Sequence, residues 1–274
     1  MELEKRVDQS IKLLRAYNRF CNLTLAYSGG KDSDVCLRLC KLAHIKVDIV
    51  YNNTTIDPPY TLSRNKSIGA LISQPRYTFY QLVAKKGLPS MFRRFCCSEL
   101  KERYIAKHLI LGIRREESVK RSVRYQEPSA CYIYTKSKST EQILPILYFT
   151  DTHIQQFIEL ENIPLHPLYY NNQGKVDCSR RLGCIGCPLL GDRGISDYLR
   201  YPKALRQLAI SYKHFVDTHK SIEGIYEDIT WNLFYSNHKD HNYQQTYHGL
   251  FQPPSARQFL QEFFKVELPD FEKI

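Results

Sequence analysis

The sequence predicts an α/β fold: a parallel sheet with helices on both faces, extended by a cysteine-rich insert and a helical C-terminal region. Three observations predict it. An apolar run, Leu23 to Tyr27, leads through Ser28-Gly29-Gly30 into a partly apolar helical stretch carrying Val35, Leu37, Leu39 and Leu42. A second strand-like run, Lys46 to Tyr51, ends in a polar, proline-terminated loop. A third, His108 to Gly112, is followed by a basic stretch. Strands alternating with helical segments read as parallel-sheet architecture.

Composition sets the bounds. The 274 residues allow one large α/β domain plus an appendage, or two small domains, and a hydrophobic content of 43% supports a folded core. The net charge of +11 favours anionic partners, nucleotides or nucleic acid. No apolar run reaches the ~18 residues of a membrane helix, and the charged start, Met1 to Arg6, has no signal-peptide core. These features predict a cytoplasmic protein without a membrane partner. In that setting the nine cysteines argue for thiols and metal ligands, not disulfides.

Taken in order, residues 2 to 20 read as an amphipathic helix with Val7, Ile11 and Leu14 on one face. Leu23 to Tyr27 reads as a short buried strand. The two glycines after it allow φ > 0 and leave room for a ligand. Asp32 and Ser33 fall in the first turn of the next helix, where short polar residues satisfy free N–H groups. Strand, glycine turn and helix N-terminus together make an anion site, because the free N–H groups and the positive end of the helix dipole point at one spot. Ser28 and Ser33 add hydroxyls and Lys31 a positive charge, so the ligand that fits is a phosphate or pyrophosphate. The spacing of a Walker A loop is absent.

After the second strand, Thr54, Thr55 and Asp57 are placed to meet a nucleotide, since ligands of open parallel sheets sit beyond the carboxyl ends of strands. Tyr60 to Ile72 reads as a helix and Arg76 to Tyr80 as a short strand; Leu82 to Pro89 is a helix end with a glycine cap and a proline stop. Cys96 and Cys97 lie near Arg93, Arg94 and Lys101, which predicts lowered thiol pKa values. Ser98 to Lys107 reads as a helix. Beyond the third strand, Arg114, Lys120 and Arg121 offer cations to an anion, and planar guanidinium forks suit phosphate. Ser122 to Glu141 reads as a polar loop over the active face, and Thr150 or Asp151 as the cap of a helix through Leu160.

A second motif spans Asp177 to Pro188. Cys184 and Cys187, with two residues between them among glycines, can turn both sulfurs to one metal, and Cys178 lies six residues before Cys184. With Cys131 they make a four-thiolate set suited to zinc or an iron–sulfur cluster. Residues 195 to 274 look helical and aromatic with interleaved basic residues, a pattern that suits nucleic acid but more often marks packed helices with a wet basic face. His238, His241 and His248 form a loose patch without metal spacing, and Ser255 caps a last helix, Ala256 to Lys265.

Ser28-Gly29-Gly30-Lys31-Asp32-Ser33 resembles the SGGxDS pyrophosphate loop of the PP-loop ATP pyrophosphatase superfamily. Cys96-Cys97-Ser98-Glu99-Leu100-Lys101 followed by Gly112-Ile113-Arg114-Arg115-Glu116-Glu117-Ser118-Val119-Lys120-Arg121 is similar in order to the phosphoadenosine and adenosine phosphosulfate (PAPS and APS) reductases. The resemblance runs from about residue 20 to 192. It departs at Leu144, Phe149 and Phe157, which stand where relatives carry Asn and two Trp. It implies a PP-loop nucleotide-binding domain over 1–192, with the cysteine site at about 130–190, and a helical region over 193–274.

What the resemblance implies about chemistry is specific. ATP would lie on Tyr27, Ser28, Gly29, Gly30, Lys31, Asp32, Ser33, Thr54, Asp57, Gly112, Arg114, Glu117 and Ser118, with Mg²⁺ bridging its phosphates near Asp32. Lys31, Lys101, Arg114 and Arg121 would offset charge developing in the transition state. An open iron or a thiolate such as Cys97 would carry sulfur. Two ligand sets compete for the metal: Cys131, Cys178, Cys184 and Cys187, which we favour, and Cys96, Cys97, Cys184 and Cys187. His166 stands where relatives carry a further cysteine and is a third candidate. A [4Fe–4S] cluster is expected over Zn²⁺. The activity implied is ATP-dependent adenylation that readies a nucleic acid, DNA or tRNA, for sulfur insertion, as in Dnd-type DNA phosphorothioation or tRNA thiolation, with a sulfur donor such as a cysteine desulfurase. A sulfonucleotide reductase is the alternative; the chain has no cysteine after Cys187 and keeps the loop that such reductases alter. A non-catalytic nucleotide- or nucleic-acid-binding partner is a third reading.

Overall fold

The computed structural model describes residues 2–103, 106–135, 138–216, 221–234 and 255–271, with only the backbone path for 131–135 and 138. The chain forms two compact units that alternate along the sequence. One comprises Met1–Asn53, Pro58–Gln74 and Glu102–Gly183; the other comprises Thr54–Asp57, Pro75–Lys101 and Cys184–Ile274.

The first unit holds the sheet. Its strands are β1 (Leu23–Ala26), β2 (Val47–Asn52), β3 (Leu71–Ser73), β4 (His108–Ile110), β5 (Ser129–Thr135) and β6 (Lys138–Ile143), in the spatial order β3-β2-β1-β4-β6-β5. All neighbours run parallel except β5 and β6. β1 is central: Leu25 sits opposite Ile49 on one side and Ile110 on the other. The chain leaves β1 toward β2 and β3, then returns to place β4 on β1's other edge. Loops following β1 and β4 therefore diverge at a topological switch point, where open α/β sheets bind ligands.

Helices α1 (Glu2–Asn18), α2 (Lys31–Leu42) and α6 (Asp151–Leu160) pack in series, α1 on α2 and α2 on α6. Leu14, Leu23, Leu25, Val35, Leu39, Ile110, Ile143, Ile154 and Phe157 fill the core beneath them. Each such side chain, fully withdrawn from water, contributes on the order of 1.5–3 kcal/mol. Thr150 caps α6 in a reciprocal arrangement: its hydroxyl accepts from the His153 N–H at 3.1 Å, and its own N–H donates to His153 Nδ1 at 3.2 Å.

Four sequence expectations are corrected here. The helix expected over Tyr60 to Ile72 is shorter: α3 (Thr61–Ser67) stops before Gly69, whose φ of +78° turns the chain into β3. The strand expected at Arg76 to Tyr80 does not form; in the second unit Thr78 caps α4 (Phe79–Lys86) in a capping box with Gln81, and this local hydrogen bonding outweighs aromatic β-propensity. The helix expected over Ser98 to Lys107 is a single wide turn, Cys97–Lys101, pinned by buried Leu100. The polar loop expected over Ser122 to Glu141 is instead the end of α5 (Val119–Arg124) and the antiparallel pair β5–β6.

The second unit is helical, as the sequence predicts for the C-terminal region. It contains α4, α7 (Asp192–Arg200), α8 (Pro202–Lys213), α9 (Ile222–Phe234) and α10 (Ala256–Phe264). Leu205, Ala209, Tyr226, Ile229, Phe234, Leu260 and Phe264 make its core. Ser255 caps α10, accepting from the Gln258 N–H at 3.2 Å. Gly87 ends α4 at φ +80°, and a Cβ there would come within 2.8 Å of the Phe215 ring. Among the described residues no helix is long and apolar enough to cross a membrane. His238, His241 and His248 lie outside the described residues.

Candidate nucleotide site and cysteine cluster

The turn after β1 is built to bring backbone close to whatever it binds. Gly29 has φ +79°, and a Cβ on it would stand 3.3 Å from Asn65 Nδ2. Gly30 is the residue before α2; no side chain caps the helix there. Ser33 instead turns back, donating its hydroxyl to the Gly30 carbonyl at 2.7 Å, with Ser28 Oγ 3.4 Å away. The loop's charge is internal to it: Lys31 is only 2% exposed, and its Nζ lies 3.4 Å from Asp32 Oδ2.

The loop after β4 meets this helix start. Gly112 is the point of contact, since a Cβ on it would lie 3.0 Å from the Asp32 carbonyl carbon and 3.1 Å from its oxygen. Two residues on, Arg114 is also 2% exposed. Its Nε donates to Asp32 Oδ1 at 2.8 Å, one Nη donates to Asp151 Oδ1 at 2.7 Å, and the other lies 3.5 Å from Glu116. Both oxygens of Asp32 thus face cations. An oxygen ligand of this kind suits Mg²⁺, and a metal there would have to displace one of those pairings. Glu117 accepts the Arg114 N–H at 3.2 Å and pairs with Arg121. Ser118 caps α5, accepting from the Arg121 N–H at 3.2 Å.

Sequence reasoning did not assign two residues that shape this site. Tyr169 is buried, and its hydroxyl accepts from the N–H of Lys31 at 3.1 Å and of Leu182 at 3.2 Å. Burial pushes its own pKa up to about 12. Asp34, 4% exposed, receives the Tyr27 hydroxyl and an Arg64 Nη at 2.7 Å, while its Oδ2 has no partner. Burial lifts this carboxyl to about 6 against the pull of Arg64 and Tyr27. A desolvation effect of that size in a helix's first turn has no short sequence signal.

His166 is buried, and both its ring nitrogens have protein partners. Nδ1 accepts from the Leu168 N–H at 3.2 Å, which assigns the proton to Nε2, 2.9 Å from the Pro59 carbonyl. Its pKa is lowered, by burial first. This histidine ties two loops together, and neither nitrogen is open to a metal. Cys178 lies in the core of the same unit, its thiol raised by burial. The Cys131 side chain lies outside the described residues.

The second unit carries Cys96, Cys97, Cys184 and Cys187. Cys96 interacts electrostatically with Cys97, Cys184 and Cys187, and its thiol is raised, by Cys97 and then by burial. For Cys96 the lowered pKa expected from nearby cations is therefore corrected: a neighbouring sulfur and desolvation dominate. Cys184 Sγ lies 3.6 Å from Thr54 Oγ1 and 3.9 Å from Asp57 Oδ1, and burial with Asp57 pushes it up to about 12. Burial pulls the Lys101 ammonium down, but Cys184, Cys187, Asp57 and Cys97 outweigh it and raise its pKa. Thr54 and Asp57, expected at the nucleotide, thus stand beside Cys184. Soft thiols with a lysine to balance thiolate charge are a donor set for zinc or iron–sulfur. Among the described residues no group of three or more His, Cys, Asp or Glu is drawn together tightly enough to hold a metal ion, so the thiols are neighbours and not a formed shell.

A mostly parallel sheet with a glycine turn and buried lysine at its switch point is the frame of a nucleotide-handling α/β protein. Residues 22–190 match the phosphoadenosine phosphosulfate reductase domain, and the chain belongs to that family. No curated protein matches it. Among solved structures it is similar to the FMN adenylyltransferase of Candida glabrata, with 14% identity and a TM-score of 0.45 over 61% of this chain and 58% of that one. It is also similar to the PAPS reductase of Candida auris in a phosphate complex (17%, TM-score 0.41, 58% and 83% covered). A third is the U34-tRNA thiolase NcsA of Methanococcus maripaludis with its [4Fe–4S] cluster (12%, TM-score 0.40, 77% and 79% covered). The chain corresponds to little more than half the length of the adenylyltransferase.

Proposed function

We propose that the chain is an ATP-dependent adenylating enzyme. An acceptor oxygen on a nucleic acid would attack the α-phosphate of ATP, the bond to the β-phosphate would break, and pyrophosphate would leave, so that the acceptor is adenylated for later exchange with sulfur. The observation that carries this reading is the intact loop Ser28 to Ser33, with Lys31 buried at the start of α2 and Arg114 fixed beside it through Asp32. In it, Tyr27 to Ser33, Gly112 and Ser118 frame the phosphates. Lys31, Arg114 and Arg121 offset the charge that grows as pyrophosphate departs. The net charge of +11 supports an anionic acceptor such as DNA or tRNA.

Cys96, Cys97, Cys184 and Cys187 are the residues we assign to a [4Fe–4S] cluster, with Zn²⁺ the alternative. Their mutual electrostatic influence supports this set. The cluster would supply thiolate-bound iron for sulfur chemistry, whereas zinc would make the site structural. Lys101 would balance the thiolate charge in either case.

The test is pyrophosphate release from ATP with and without nucleic acid. Release that Lys31→Ala abolishes supports the reading; near-normal release by that variant sinks it. The family's own description keeps a second reading in play, reduction of a sulfonucleotide with Cys96 or Cys97 as the nucleophile. Sulfite release from PAPS or APS with thioredoxin, without pyrophosphate formation from ATP, would establish that reading instead.

A further inference from the structure

The loop Leu88 to Phe95 in the second unit holds an aromatic ring in water on a fixed backbone. At its start Gly87 rests against the Phe215 ring, and the Pro89 carbonyl accepts from Asn232 Nδ2 at 3.0 Å. The chain then closes on itself. The Ser90 N–H donates to the Arg93 carbonyl at 3.3 Å, and the Arg93 N–H donates to Ser90 Oγ at 3.1 Å. Inside this closed turn Phe92 is 91% exposed. A loose chain does not account for that exposure, and hydrophobic burial favours covering the ring. At the far end the Arg94 carbonyl accepts the Cys97 N–H at 3.1 Å, so the loop runs directly into the thiols.

The same stretch is strongly basic. Pro75 to Lys101 carries Arg76, Lys85, Lys86, Arg93, Arg94 and Lys101 against one carboxylate, Glu99. Glu99 is taken by Lys86 at 2.5 Å, and Lys101 answers the thiols and Asp57. Among the described residues no carboxylate pairs with Arg76, Lys85, Arg93 or Arg94. Helix α8, packed on α4, brings no carboxylate to answer them. Aromatic rings are interleaved with these cations. Lys85 Nζ stands 3.5 Å from the centre of the Tyr77 ring and the Arg76 guanidinium 5.3 Å from it. Lys86 Nζ stands 5.9 Å from the centre of the Phe95 ring. Two adjacent lysines of α4 thus join Tyr77 and the end of the loop into one surface.

Cations without acid partners, beside an aromatic ring in water, fit a polyanion that also offers flat faces. Unpaired nucleic acid is such a partner, because its bases stack on aromatic rings and its phosphates take guanidinium forks. A duplex hides its base faces, and a lipid surface calls for more apolar area than the one exposed phenylalanine of this loop. We propose that the loop Leu88 to Phe95, with Arg76 and Lys85 beside it, is the docking surface for an unpaired stretch of nucleic acid. Phe92 stacks on a base, Arg93 and Arg94 hold phosphates, and the strand is led toward Cys97. The inference rests on the reading of the acceptor as a nucleic acid and adds the place where it docks.

The experiment titrates the full chain with a labelled single-stranded oligonucleotide, as DNA and as RNA, and with the matching duplex, at several salt concentrations. Wild type should prefer the single strand. Phe92→Ala should weaken it roughly fivefold or more with the salt dependence unchanged, because stacking is lost and charge is not. Arg93→Ala combined with Arg94→Ala should lower the slope of log affinity against log salt by about 1.4. Lys5→Ala combined with Lys12→Ala, two exposed positions on α1, removes the same charge and should leave affinity and slope close to wild type. Phe92, Arg93 and Arg94 are exposed, so the variants retain the fold; matching circular dichroism and urea unfolding curves check this. Wild-type affinity in Phe92→Ala, an arginine double variant that behaves like the α1 control, or a preference for the duplex overturns the surface alone. So does a loss confined to phosphatidylserine vesicles. A wild type that binds no oligonucleotide yet releases pyrophosphate from ATP overturns the nucleic-acid acceptor together with the surface.

Discussion

The Tyr169 hydroxyl accepts the backbone N–H of Lys31 at 3.1 Å, joining positions 138 residues apart in the chain. It accepts from Leu182 as well, so one oxygen fixes the start of α2 against the segment that leads to Cys184. Tyr169→Phe keeps the ring and removes that acceptor. Lys31 is buried, so its N–H would lose its partner where water has poor access. Leaving a buried donor unsatisfied costs about 1–3 kcal/mol. Urea unfolding should show a loss in that range; a change below about 0.5 kcal/mol would mean that water replaces the hydroxyl.

Gly112 makes a separate prediction because its constraint is contact, not backbone dihedral. A methyl group there would press on the Asp32 carbonyl at 3.0–3.1 Å, and both neighbours are main chain. Gly112→Ala should push the β4 loop off α2, lengthen the Arg114–Asp32 hydrogen bond and destabilise the protein by about 1–3 kcal/mol. It should also weaken ATP binding. Unchanged stability with unchanged binding would show that the loop shifts without cost.

Asp34 gives a pH signature. Its carboxyl titrates at about 6 when folded, against 3.8 for the exposed group. Between those values the folded chain binds the proton and the unfolded chain does not. Stability therefore falls as pH rises through that window, by a total on the order of 3 kcal/mol, and this group adds no further change above about pH 6. Asp34→Asn is neutral throughout. The difference between wild-type and variant stability, measured by denaturant from pH 3.5 to 7, should change across the window. A constant difference would show that Arg64 and Tyr27 hold Asp34 ionised.

What the sequence made legible follows from the range of the forces involved. Strand β1, the glycine turn, α2 and β2 were readable because each depends on neighbours a few residues away. The Thr150 cap of α6 was readable for the same reason. The Thr78–Gln81 capping box was equally local, but Tyr77, Phe79 and Tyr80 drew the reading toward a strand. The β5–β6 pair was missed because an edge hairpin of polar and aromatic residues looks like a loop until β4 supplies its partner. Tyr169, Asp34 and the Glu117 bridge to Arg181 were not readable at all. Each depends on segments brought together by the fold, across 138, 30 and 64 residues.

The cysteines set the last prediction. Cys184 and Cys187 belong to both candidate ligand sets, so changing either should remove bound iron or zinc whichever set is used. The sets separate at the remaining positions. Cys178 lies in an apolar core with Leu25, Phe157 and Tyr169 as fellow members, and its thiol is raised by burial. Cys96 and Cys97 share their electrostatic surroundings with Cys184 and Cys187. On protein purified without oxygen, Cys96→Ser and Cys97→Ser should lower iron and acid-labile sulfide, or zinc, to background. Cys178→Ala should retain the metal and lose stability only by the amount its packing supplies. Metal loss in Cys178→Ala, with Cys96→Ser and Cys97→Ser fully loaded, would return the site to the set that includes Cys131 and Cys178. Full loading in Cys184→Ser would exclude both sets.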